Sequence, residues 1–151
     1  MMSIPHDGLS DEEIKNVLEK YRVIAVVGMS KDPMKPGHYV PKFLIRHGYK
    51  IIPVNPTVDE VLGLKSYPSL NEIPEDVEVV DVFRRPEHTP EVAEEAVKKK
   101  AKVLWLQEGI YNAQAVEIAK NGGLIVVWNS CIMKEHNRLI GSKPYTTRRP
   151  L

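Results

Sequence analysis

Four cations in two segments and one thiol define the chemistry this chain could perform. Lys31 and Lys35 lie in Gly28-Met29-Ser30-Lys31-Asp32-Pro33-Met34-Lys35-Pro36-Gly37-His38-Tyr39, and Arg84 and Arg85 lie in Phe83-Arg84-Arg85-Pro86-Glu87-His88. Directly before the first segment stands Val23-Ile24-Ala25-Val26-Val27, a short unbroken apolar run of the kind that makes a parallel strand covered on both faces. A buried strand that passes through a Gly-containing loop into a helix offers backbone N–H groups to an anion. A nucleotide-type pocket is therefore expected on this turn, its cations suiting a ligand with more phosphate charge than a plain dinucleotide. Each residue also has an ordinary reading: Ser30 and Lys35 as plain loop residues, Arg84 and Arg85 as surface partners of Glu87 or Glu108.

The thiol is Cys131, the only cysteine, which excludes an intramolecular disulfide and a zinc cluster of cysteines. Most lone cysteines are small buried hydrophobes. This one precedes the helical pattern Ile132 to Leu139, and a helix N-terminus would lower its pKa and favour the thiolate. His38 falls near a helix start, where an imidazolium is disfavoured, and reads either as a neutral donor to phosphate or as packing. His47, His88 and His136 share no ligand spacing, so no metal site is expected.

The elements that must position these residues alternate along the chain. Ser10-Asp11-Glu12-Glu13 is a capping box, after which Ile14, Val17, Leu18 and Tyr21 share one helical face. Strands are expected over Arg22 to Val27, Lys50 to Val54, Val77 to Phe83, Val103 to Leu106 and Leu124 to Trp128, with Trp105 and Trp128 in the core. Helices are expected over Tyr39 to His47, with Pro41 in its first turn, then from Thr89 to Lys98-Lys99-Lys100, over Asn112 to Lys120, and over Ile132 to Leu139. The triple lysine reads as a solvated helix end. Between Asp59 and Asn71, Val61-Leu62-Gly63-Leu64 and Ser66-Tyr67 read as short extended pieces and Ser69 to Ile73 as one helical turn.

This alternation predicts an α/β fold, a single doubly wound parallel sheet of about five strands with helices on both faces. Residues 1–9 read as a loose arm, 10–140 as the domain and 141–151 as a tail. In such sheets ligands bind beyond the carboxyl ends of the strands, at the switch point. That rule gathers Gly28 to Tyr39, Asn55-Pro56, Phe83 to His88, Gln107 to Gly109 and Asn129 to Cys131 at one rim. The formal net charge of +1 argues against a general nucleic-acid or membrane-surface role. No apolar run approaches the roughly 20 residues of a membrane span, and no secretory signal is visible, so the expected location is cytoplasmic.

A nicotinamide or flavin dinucleotide fingerprint would read Gly-x-Gly-x-x-Gly where this chain has Gly28-Met29-Ser30-Lys31-Asp32-Pro33, and would favour an acid where Val54-Asn55-Pro56 stands. A P-loop Gly-Lys-Ser/Thr is also absent. Instead Gly28-Met29-Ser30-x-x-Pro33-x-Lys35-x-Gly37, then Val54-Asn55-Pro56, Gln107-Glu108-Gly109 and Asn129-Ser130-Cys131, resembles the coenzyme A-binding domain family. These are stand-alone Rossmann-like proteins similar to the N-terminal domain of the succinyl-CoA synthetase α subunit. The resemblance covers Ser10 to Leu139.

It implies CoA or an acyl-CoA as ligand. By position it implies Ser30, Lys31 and Lys35 as phosphate contacts, helped by backbone N–H groups around Met29 and Ser30, with Pro33 and Gly37 shaping the loop. Val54, Asn55 and Pro56 fall on the adenosine side, Phe83, Arg84 and Arg85 along the cleft, and Gln107, Glu108 and Gly109 nearer the pantetheine end. Gly28, His38, Tyr39, Asn129 and Cys131 complete the expected set. The synthetase's second domain, with its phosphorylated histidine, has no counterpart in 151 residues, so the expectation is a binding protein without ligase chemistry. Under oxidising conditions Cys131 is expected to form a mixed disulfide with CoA. The alternatives are an enzyme acting on an acyl-CoA thioester through Glu108 or Cys131, and a nicotinamide dinucleotide-binding protein. Neither a nucleic acid nor a membrane is an expected partner, and base rates alone point to a homodimer.

Overall fold

The computed structural model describes residues 3–141, so all of the expected tail beyond Gly141 lies outside the described residues. The apolar runs become strands because both faces of a parallel sheet are covered, leaving few places for polar side chains. Strands β1 (Val23–Val27), β2 (Lys50–Val54), β5 (Val79–Val82), β6 (Val103–Leu106) and β7 (Ile125–Val127) form one parallel sheet in the order β2-β1-β5-β6-β7. Winding therefore reverses between β1 and β5, which opens a crevice at their carboxyl ends. Between β2 and β5, the strands β3 (Glu60–Val61) and β4 (Leu64–Lys65) make a small antiparallel hairpin. Its two turn residues both have positive φ, Leu62 at 53° and Gly63 at 75°. The expected single turn is a short 3₁₀ helix at Leu70–Glu72.

Helices α1 (Asp11–Lys20), α2 (Pro36–Arg46) and α5 (Ile132–Leu139) cover one face, and α3 (Thr89–Lys98) and α4 (Ala113–Asn121) cover the other. The strands sort their side chains by the two-residue period. Ala25, Val80, Val82 and Leu104 point to α3 and α4, while Ile24, Val26, Val79, Val103 and Trp105 point to α1, α2 and α5. Ser10 forms the expected capping box, accepting from Glu13 N–H at 3.1 Å while its own N–H donates to Glu13 Oε1 at 2.9 Å.

Two expectations are corrected here. The described part of the arm, from Ser3 on, is anchored rather than loose, since the Trp128 indole N–H donates to the Pro5 carbonyl at 2.7 Å. Helix α2 begins at Pro36, three residues before the expected start, which puts Pro41 in its interior instead of its first turn. A proline there cannot donate to the carbonyl four residues back, that of Gly37. The N–H of Ser30 takes up that carbonyl at 3.0 Å, so the missing helical bond becomes a tie between helix and loop.

Candidate functional site

The loop after β1 is held from three sides. Gly28 N–H donates to the Val54 carbonyl of β2 at 2.9 Å, and Phe83 N–H donates to the Val27 carbonyl of β1 at 2.8 Å. Asn55 closes the third side, with Nδ2–H donating to the Met29 carbonyl at 2.8 Å while its Oδ1 accepts from the N–H and hydroxyl of Thr57. Within the loop, Ser30 Oγ accepts from Asp32 N–H and Asp32 Oδ1 accepts from Met34 N–H, both at 3.0 Å. The loop thus delivers Lys35 to the N-cap of α2, a helix end with no side-chain cap. The partial positive charge of that end faces the crevice.

The crevice is a cleft of about 850 Å³. Gly28, Met29, Ser30, Lys31 and Lys35 line it from the loop after β1, Val54, Asn55 and Pro56 from the end of β2, and Phe83, Arg84 and Arg85 from the end of β5. Four cations and a single carboxylate, Asp32, therefore face one space. Among the described residues neither Arg84 nor Arg85 pairs with Glu87 or Glu108, which corrects the surface-pairing reading; Glu108 is bound instead by Lys134 Nζ at 2.9 Å.

Pro36, Phe83 and Ile110 line both this cleft and a second, smaller cavity of about 280 Å³. Tyr39, Gln107, Glu108, Cys131 and Met133 line it. Cys131 is the N-cap of α5 and is buried. Burial pushes its thiol up and outweighs the N–H groups of Met133 and Lys134 that pull it down, so the expected lowering by the helix end is overturned.

Four expected residues stand outside both cavities. Pro33 lies exposed in the loop. His38 is buried, with its Nδ1–H donating to the Ser30 carbonyl at 2.8 Å, which makes it a support of the loop. Asn129, at φ 55°, accepts from Gly109 N–H at 2.7 Å, and this pair fixes the turn that carries Glu108 and Ile110. Sequence reasoning missed Thr57, Val58, Ile110 and Met133 as lining residues, because small and apolar types carry no signal until the fold gathers them. It also missed Asp81, the one acid in the run Val79 to Phe83, which is fully buried in β5 and accepts from Gln107 Nε2–H at 2.5 Å. No three His, Cys, Asp or Glu side chains cluster among the described residues. No helix there is long and apolar enough to cross a membrane.

Comparison with known proteins agrees with this geometry. Residues 22–137 match the family model described as a CoA binding domain. The chain is 45% identical over 127 residues to the uncharacterized protein YneT of Bacillus subtilis, covering 84% of this chain and 94% of that protein. A hypothetical protein from Pyrococcus horikoshii superposes with a TM-score of 0.89 at 48% identity, covering 93% of this chain and 99% of the other. The acetate–CoA ligase (ADP-forming) II subunit alpha of Pyrococcus furiosus is 33% identical over 131 residues, a match to 78% of this chain but only 29% of that subunit. By the match over residues 22–137, the chain belongs to the CoA-binding domain family.

Proposed function

We propose that the protein is a stand-alone binder of coenzyme A without ligase chemistry of its own. The observation that carries this reading is the polarity of the two adjacent cavities. A cationic cleft at an uncapped helix N-terminus shares three lining residues with a smaller cavity that a buried thiol helps to line. CoA has the same polarity, a phosphate-rich nucleotide at one end and a thiol arm at the other. The nicotinamide reading has less support, since β2 ends at Val54-Asn55 with no acid for a ribose hydroxyl and the Asn55 side chain is already engaged by Met29 and Thr57. An acyl-transfer enzyme would need an activated nucleophile, whereas Glu108 is paired to Lys134 and the Cys131 thiol is held protonated.

Calorimetric titration of the purified chain with CoA tests the reading. Binding is expected, with Kd raised about tenfold in Arg84→Ala and in Lys35→Ala, the worth of one charge-assisted phosphate contact. Its dependence on salt should flatten in both variants. No heat of binding to the wild type would refute the assignment.

Cys131 is proposed to exchange with CoA disulfide, its thiolate attacking one sulfur and releasing one CoA thiol for each mixed disulfide formed. Because burial raises this thiol, the exchange rate should still be climbing at pH 9. Intact-mass measurement should find one reductant-reversible CoA adduct in the wild type and none in Cys131→Ser. A wild type that stays unmodified would remove the redox element.

A further inference from the structure

Behind the narrow cavity lies a carboxyl that the proposed site does not yet use. Asp81 sits in β5 with Val26 of β1 and Trp105 of β6 beside it, on the face covered by α2 and α5. Its Oδ1 accepts from Gln107, and its Oδ2 has no hydrogen-bond partner among the described residues. Gln107 is only 4% exposed, yet it lines the cavity together with Cys131. It therefore stands between the buried acid and the place where the ligand's arm would end.

A primary amide has a donor end and an acceptor end. An ionised Asp81 can only accept, so it holds the amide N–H of Gln107 and leaves the carbonyl oxygen for the cavity. A protonated Asp81 donates to that oxygen once the amide has turned over, which leaves the N–H groups for the cavity. We propose that Asp81 sets which end of Gln107 faces the cavity, so that its proton selects between the free thiol of CoA, which donates there, and the carbonyl of an acyl thioester, which accepts. This rests on the coenzyme reading of the cleft.

The surroundings permit such a choice near neutrality, since burial pushes Asp81 up to about 7. The other titratable groups on this face are engaged elsewhere. His38 and His47 bond the Ser30 and Phe43 carbonyls, His136 packs edge-on to Phe43, His47 and Tyr49, and Glu108 pairs with Lys134. Tyr39 lines the cavity, and Cys131, which feels the Asp81 charge, stays a protonated thiol.

Calorimetry with CoA and with acetyl-CoA, under reductant, at pH 5.5 and pH 8 tests the pairing. The phosphates are common to both probes and cancel in the ratio of their Kd values. That ratio should move about tenfold toward acetyl-CoA at the lower pH, the worth of one hydrogen bond made rather than lost. It should be flat with pH in Asp81→Asn and in Gln107→Met. In the ligand-free protein, the Gln107 side-chain amide signal in NMR should move with pH in the wild type and stand still in Asp81→Asn. A flat wild-type ratio, or a pH step that survives both substitutions, overturns the inference, as does an amide signal indifferent to pH. Failure of both probes to bind at either pH overturns the coenzyme reading itself.

Discussion

Gly28→Ala is expected to be the most damaging single substitution in the site. A Cβ at Gly28 would lie 2.4 Å from the Phe83 carbonyl oxygen and 3.0 Å from its carbon, with φ at +89°. Both partners are backbone, and Phe83 is tied by its N–H to β1, so nothing flexible can yield. The strain of a left-handed alanine and the overlap together should destabilise the fold by at least about 3 kcal/mol. For a chain of this size that is a fall in Tm of roughly 6–12 °C. Arg84, whose Cδ would lie 3.2 Å from the new atom, moves with the wall, so CoA affinity should fall with stability. Gly63→Ala is the control, because φ there is +75° but no atom lies within 4 Å. Its cost should be that of the backbone conformation alone, about 1 kcal/mol. Thermal melts in which the two variants unfold at the same temperature would contradict the steric argument.

The second large effect has the opposite sign. Asp81→Asn should stabilise the protein at pH 8. Burial raises the folded carboxyl to about 7 from the ordinary aspartate value of 3.8, with the Gln107 bond working against it. Between those two values the folded state holds a proton that the unfolded state has lost, so wild-type stability falls as pH rises through this window and is level above it. Asparagine has no such proton. The advantage of the variant should therefore be near zero at pH 4, grow across the window, and level off on the order of 4 kcal/mol above pH 7. Denaturant melts at pH 4, 6 and 8 would show it, and parallel pH profiles for the two proteins would contradict it.

Such a destabilising acid was hard to read in the sequence for the same reason the strands were easy. Val103 to Leu106 and Ile132 to Leu139 fall on β6 and α5 residue for residue, because a doubly covered strand and an amphipathic helix carry their periods openly. Asp81 lies inside such an apolar run, and the run's pattern absorbs it. Its signal was the lone acid itself, since a charge at a position covered on both faces is rarely accidental. The start of α2 was misplaced because a proline inside a helix is ordinarily read as a first-turn residue. Pro41 is tolerated because Ser30, eleven residues earlier, takes up the freed carbonyl. The cationic cleft was legible from the loop and the strand ends. Its apolar liners Val58 and Ile110 were not, because their convergence exists only in three dimensions.

The clasp between the two ends of the domain also has a consequence in time. The Arg138 guanidinium of α5 grips both carboxylate oxygens of Asp11 at 2.9 Å across 127 residues of chain, and Trp128 holds Pro5 across 123. On a ribosome adding about 5–20 residues per second, α1 emerges on the order of ten seconds before α5 exists. For that interval Ile14, Val17 and Leu18 can pack only on what already exists, β1, α2 and Tyr49, while the side of α1 that meets α5 stays open to water. The helix made first thus docks early on one side and is clasped last on the other, when Arg138 reaches Asp11.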